Sequence, residues 1–238
     1  MKSLLLKFAG PLQSWGTGSH FETRMTDLYP SKSAVIGLVA AALGYRRDED
    51  EKTGVLNGLD FAVRIDQPGT LLKDYQIVHS TKRNYVTERY YLEDAVYIAA
   101  LSGTDPEWVE EIEEALNHPY FQSSFGRRSA VPTYDFIMGT VEGGPIEALQ
   151  KCEWQASKWY KRIQGETVHL EIFADGHLLD SRTAEKRQDR VLSFSQKSRQ
   201  FGFRYEKRKI IEIQNPEKSL RDTFESGYLT EHDAFAMI

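Results

Sequence analysis

The sequence predicts an α+β fold, and three observations carry the prediction. A first strand, with Leu4, Leu6 and Phe8 on one face, runs into a glycine-punctuated loop (Gly10, Gly16, Gly18) and a small-residue helix opened by Pro30-Ser31-Lys32-Ser33 and closed by Gly44. Strands at 61–66, 95–101 and 134–141 then surround a second, amphipathic helix that begins at Pro106. Composition agrees: 40% hydrophobic and 27% charged residues in a chain of 238 suit one substantial core or two small ones, not a disordered polymer. Strand, helix, two strands, helix, strand is the order of a ferredoxin-like sheet, the plan of RNA-recognition (RRM-like) modules. That unit is expected over residues 1–145, with a protruding β-hairpin at about 75–91. Residues 146–238 are expected to form a small β-rich C-terminal lobe and tail.

Taken in order, each element has a local cause. After the first helix, 48–58 reads as an acidic, glycine-containing link, and the alternating strand Phe61-Ala62-Val63-Arg64-Ile65-Asp66 stops at Gln67-Pro68-Gly69. The stretch from Leu71 to Tyr91 is polar and aromatic with no core face through its middle, which predicts a projecting hairpin. Ala95 to Leu101 is apolar enough for a buried strand. Thr104-Asp105-Pro106-Glu107 offers a cap, a first-turn proline and a carboxylate near the positive end of a helix. That helix puts Trp108, Ile112, Ala115 and Leu116 on one face and ends before Asn117-His118-Pro119. Gly126-Arg127-Arg128-Ser129 makes a basic turn, and Glu142-Gly143-Gly144-Pro145 ends the strand that follows it. Beyond lie a short helix near 146–152, strands at 168–174, 201–205 and 209–214, and a polar segment at 182–200 expected to be a mobile loop.

Several function classes drop out. No run approaches the roughly 18 apolar residues of a membrane span, and the amino terminus offers no small-residue cleavage site, so a cytoplasmic protein with no membrane partner is expected. The single cysteine, Cys152, excludes an intramolecular disulfide and a cysteine-built zinc site. No metal and no cofactor are expected: Asp48-Glu49-Asp50-Glu51 lacks the alternate-residue ligand spacing and glycine of a calcium loop. The net charge of −5 argues against a nucleic-acid binder until it is divided, because residues 1–47 hold six Lys/Arg against two Asp/Glu and residues 182–209 hold ten against three.

The candidate binding residues follow from that division. A helix N-terminus with free N–H groups attracts anions, and Ser31, Lys32 and Ser33 stand there. On the preceding loop, Ser14, Trp15, Gly16, His20 and Arg24 are candidates to meet RNA, with Trp15 and His20 able to stack on bases, while Arg46 and Arg47 extend the positive potential past the helix. The alternative is a core unit in which Trp15 is a plug and Lys32 a surface lysine. Lys82, Arg83, Tyr85 and Arg89 alternate charge with rings on the hairpin, a combination that grips backbone and base faces, or else an ordinary exposed surface. Arg127 and Arg128 follow a glycine, where they either share a phosphate or tie the turn inward to an acid. Tyr45, His79 and His20 are the candidates for acid–base work.

Residues 3–16, ending Phe8-Ala9-Gly10-Pro11-Leu12-Gln13-Ser14-Trp15-Gly16, together with Pro30-Ser31-Lys32-Ser33 and Gly37-Leu38-Val39-Ala40-Ala41-Ala42-Leu43-Gly44, resemble the amino-terminal signature of the CasD family. Phe61-Ala62-Val63-Arg64, Tyr90-Tyr91-Leu92-Glu93-Asp94-Ala95 and Phe125-Gly126-Arg127-Arg128-Ser129-Ala130-Val131-Pro132 agree, so the resemblance spans about 1–150 and is loose beyond. CasD proteins are subunits of the RAMP superfamily in the type I-E CRISPR complex Cascade. The resemblance implies a non-catalytic subunit that holds the 5′ handle of crRNA, with a thumb placed against the guide. Implied partners are the large subunit, the backbone subunits and, through the complex, target DNA in antiviral defence. Relatives in another CRISPR subtype cut precursor RNA with a tyrosine after the first helix and a lysine–histidine pair. Tyr45 occupies the first position here, but no lysine–histidine dipeptide exists. A metal-independent endoribonuclease is therefore the alternative expectation.

Overall fold

The computed structural model describes residues 1–16, 23–79, 81, 84–180 and 183–218. It is a mixed α/β protein built on two largely antiparallel sheets. The strands are β1 (Lys2–Ala9), β2 (Leu12–Gln13), β3 (Thr23–Arg24), β4 (Asp60–Gln67), β5 (Thr70–Val78), β6 (Tyr85–Glu93), β7 (Val96–Gly103), β8 (Ile137–Glu142), β9 (Thr167–Asp175), β10 (Glu185–Ser193) and β11 (Gln200–Gln214). The helices are α1 (Lys32–Ala42), α2 (Asp50–Leu56), α3 (Pro106–Asn117), α4 (Pro145–Lys151) and α5 (Lys158–Ile163).

The seven-stranded sheet has the order β10-β11-β9-β4-β7-β1-β8. Because β9 pairs with β4, strands after residue 145 continue the sheet formed by those before it. Alternation along β1 explains its two-sided burial: Leu4, Leu6 and Phe8 face a core with α1 and α3, while Leu5 faces a second core with α4. α1 starts as its sequence dictates. Ser31 caps it, the side chain accepting from the Ala34 amide, and the chain leaves through Gly44 at φ +77°. Asp105 does the same for α3, accepting from the Glu107 amide at 2.9 Å. On the opposite face, fully buried Arg64 grips Asp66 through Nε at 2.6 Å and Nη2 at 2.8 Å, and donates to the Cys152 and Glu153 carbonyls at 2.7 and 2.9 Å. The carbonyl end of α4 is thereby satisfied by a buried cation on β4.

The second sheet has four strands, with β5 and β6 forming a hairpin whose base β2 and β3 flank. Four expectations need correction. The acidic link contains α2, the polar segment at 182–200 contains β10, α5 had no counterpart in the reading, and the two strands expected at 201–205 and 209–214 are the single strand β11. β10 turns Arg187, Asp189, Val191 and Ser193 inward, so its period-2 pattern is present but carries charges on the buried face.

Candidate nucleic-acid interface

The inward charges of β10 meet the start of α1. Asp189 accepts the Lys32 amide at 3.0 Å, filling the helix N-terminus, and Lys32 Nζ reaches Asp175 at 2.8 Å and the Asn57 carbonyl at 3.2 Å. Arg204 spans Asp189 (2.7 Å) and Asp175 (3.2 Å) and also pairs with Glu206, while Arg187 binds Glu206 (3.1 Å) and Asp27 (3.0 Å). Tyr29 donates to Glu206 at 2.8 Å and stacks on Phe173 at 4.2 Å, its hydroxyl pKa raised by burial and by Glu206. This internal network replaces the anion expected from outside. Ser31, Lys32 and Ser33 are buried, and Lys32 borders a separate cavity of about 650 Å³ beside Asp175. They are corrected here to structural residues.

Trp15 is corrected in the same way. It is 2% exposed, its ring 5.3 Å from Phe8 and 5.6 Å from Phe125, and its Nε1 donates to Gln13 Oε1 at 3.1 Å. Gln13 is itself buried, donating to the Phe8 and Ala95 carbonyls at 3.2 and 2.8 Å. The polar partner that a buried indole needs thus stood two residues away in the sequence. Ser14 is buried and donates to the Tyr90 carbonyl at 3.3 Å, whereas Gly16 is exposed. His20, Lys82 and Arg83 lie outside the described residues.

Other candidates converge. Gly126 has φ +83°, and a Cβ there would lie 1.8 Å from the Ser14 carbonyl oxygen, so only glycine lets the basic turn press against the loop of Ser14. The turn sends its two arginines to different flanks. Arg128 lines a groove of about 810 Å³ with Arg46, Arg47 and Arg199. Gly37, Ala40 and Ala41 of α1 keep its floor low, and Tyr45, Phe121 and Phe194 bring rings to it. Among the described residues no Asp or Glu lines this groove, and all four arginines are exposed. Arg127 goes the other way, half-buried, its guanidinium 6.0 Å from the centre of the Tyr91 ring and near Arg24 and Arg89. Tyr85 is half-exposed at the outer end of β6.

The acid–base candidates separate. Tyr45 lines the groove with Lys52 Nζ 5.4 Å from its ring centre, while His79 lies next to the hairpin tip with Nδ1 3.0 Å from Asn84 Oδ1. No cluster of three or more His, Cys, Asp or Glu suited to a metal ion occurs among the described residues, nor does a helix long and apolar enough to cross a membrane. Phe121 and Phe194, which line the groove, were not among the candidates, whereas Arg199 belongs to the basic segment at 182–209, which reads from sequence as extending an RNA path, touching a neighbouring subunit or being a charged loop doing neither.

The mixed α/β fold carries a groove in which four exposed arginines and three rings meet with no carboxylate among the described residues, a pattern of charge and rings that suits a single-stranded polyanion. The chain belongs to the family described as CRISPR-associated protein (Cas_Cas5), whose model matches residues 3–205. It is 33% identical over 192 residues to CRISPR system Cascade subunit CasD of Escherichia coli (strain K12), covering 72% of this chain and 86% of that one. A chain of a solved CRISPR RNA-guided surveillance complex superposes with a TM-score of 0.74 at 31% identity, covering 89% and 91% of the two chains. A Cas protein crystal structure matches at TM-score 0.64 and 30% identity, covering 90% and 96%.

Proposed function

We propose that this chain is a non-catalytic RNA-binding subunit of a type I-E Cascade surveillance complex. It holds the 5′ handle of crRNA, bridges the large subunit and the first backbone subunit, and through the complex meets target DNA. The observation that carries the reading is the groove in which Arg46, Arg47, Arg128 and Arg199 gather beside three rings with no carboxylate among the described lining residues. Exposed guanidiniums grip phosphates, and rings accept bases irrespective of sequence. The relation to CasD and to a surveillance-complex chain supplies the biological setting. The spatial order β4-β7-β1-β8, with α1 and α3 in the connections, supports the ferredoxin-like reading of the core, and the β5–β6 hairpin supports the thumb.

Tyr45 lines the groove while His79 is hydrogen-bonded to Asn84 beside the hairpin loop, and no lysine–histidine dipeptide accompanies the tyrosine, which favours holding RNA over cutting it. Fluorescence anisotropy with a handle-length RNA tests binding: Arg46→Glu combined with Arg128→Glu is expected to weaken it at least tenfold while leaving the unfolding midpoint in place. Wild-type affinity in that variant sinks the groove as the RNA surface. Incubation with repeat RNA in EDTA tests catalysis, and specific cleavage abolished by Tyr45→Phe would establish the endoribonuclease alternative instead.

A further inference from the structure

We propose that Arg24, Arg89 and Arg127 form a phosphate clamp at the base of the β5–β6 hairpin, completed by a backbone phosphate of bound RNA. β3 and β6 run parallel with Arg24 directly opposite Arg89, so the two side chains leave the same face of the small sheet. Arg127 arrives from the basic turn over the ring of Tyr91, which lies two residues beyond Arg89 and on that same face. Like charges directly opposed across strands destabilise a sheet unless an anion lies between them. None is supplied from within. Among the described residues none of the three has an ion-paired carboxylate, and the buried Nε atoms of Arg89 and Arg127 have no hydrogen-bond partner. Asp74 faces Arg89 from β5, yet its Oδ2 accepts from Gln76 Nε2 at 2.7 Å and makes no ion pair.

The contrast with the other clustered cations is instructive. Lys32, Arg187 and Arg204 are surrounded by Asp27, Asp175, Asp189 and Glu206. A fold that surrounds Lys32, Arg187 and Arg204 with four acids, yet leaves three half-buried arginines facing one another, has reserved the second cluster for an external oxyanion. Burial, with Arg24 and Arg89, pushes the Arg127 pKa below its ordinary value although its contact with Tyr91 works the other way. A phosphate tetrahedron offers the acceptors that planar guanidiniums grip in pairs. The clamp adjoins the groove through Gly126, with Arg127 and Arg128 the two sides of one turn. Its assignment to RNA rests on the RNA-binding reading above, whereas the oxyanion site does not.

Thermal unfolding of the full chain with inorganic phosphate, against chloride at matched ionic strength, tests the site, and handle RNA tests the source. Phosphate is expected to raise the wild-type midpoint by roughly 2–4 °C. Arg89→Gln, and separately Arg24→Gln, are expected to lose that rise and to bind RNA about tenfold more weakly. Without ligand both variants are expected to unfold at or above the wild-type midpoint, because repulsion has been removed. A structural arginine does the reverse, so a clear fall in the unliganded midpoint of both variants overturns the clamp. So does a phosphate effect equal in wild type and variants, or absent from both. If RNA binding depends on Arg128 but not on Arg89 or Arg24, the clamp fails and the groove stands. If phosphate acts through Arg89 and Arg24 while handle RNA does not bind, the oxyanion site stands and both the RNA reading and the backbone phosphate fail.

Discussion

Lys32 and Asp175 form a buried pair held at 2.8 Å, with Arg204 as the second partner of the carboxylate at 3.2 Å. Removing the lysine leaves Asp175 short of one charge in a medium that solvates it poorly. Lys32→Met is therefore expected to destabilise the fold by about 3 kcal/mol, the lower end of the range for breaking buried pairs because Arg204 remains. Its RNA affinity, measured on the folded fraction, is expected to stay at the wild-type level, and a tenfold loss would return Lys32 to the binding surface. Trp15→Ala is expected to cost about 3–5 kcal/mol in urea unfolding, since the ring fills a cluster with Phe8, Phe125 and the buried Gln13. An unchanged unfolding curve would contradict the packing. Caps, breakers and the glycine at 44 were legible from sequence because their causes lie within four residues. The partners of Lys32 were not, because Asp175 is 143 residues away and its acidity suggested nothing local.

Elements show the same division between local and distant causes. β1, α3 and β4 declare themselves through periodic apolar positions, and α1 and β7 through runs of small and apolar residues buried nearly all round. β10 did not, because Arg187 and Asp189 occupy inward positions where apolar residues are the rule, tolerable because Arg187 pairs with Asp27, Asp189 and Glu206 and Asp189 pairs with Arg204. α2 and α5, seven and six residues long, are too short for a periodic signal to emerge. The β5–β6 hairpin was legible as a segment lacking a core face, and its outer end keeps Ile77 and Val86 exposed at 63% and 55%. Replacing residues 79–84 with Asn-Gly preserves the Val78–Tyr85 pair that closes the described ladder. Stability is expected to stay within about 0.5 kcal/mol of wild type, while reconstituted Cascade carrying the variant is expected to assemble less completely. A markedly lower midpoint would mean that the tip packs on the body, and normal assembly would remove the hairpin from the interface with guide and neighbours.

At the scale of the whole molecule, the net charge of −5 and the binding groove concern different surfaces. Acids cluster on α3, where Glu107, Glu110, Glu111, Glu113 and Glu114 follow one another, while the groove collects four arginines and excludes carboxylates among its described residues. A field of that kind attracts a polyanion to one face and repels it from another, so on the proposed RNA-binding reading it would orient the subunit on its guide as well as hold it. The composition could not disclose this, because it sums over faces that only folding separates. The consequence is measurable as a salt slope. Each phosphate neutralised on a single strand contributes about −0.7 to the slope of log K against log salt. Arg46→Gln, Arg47→Gln, Arg128→Gln and Arg199→Gln introduced together are therefore expected to flatten the slope for handle RNA by up to about 2.8 and to weaken binding most at low salt. A control carrying Lys151→Gln and Lys158→Gln removes two positive charges outside the groove and changes the net charge in the same direction. Its slope is expected to match wild type. Equal flattening per charge removed in the two proteins would mean that RNA responds to net charge alone, and the groove would lose its claim to the guide.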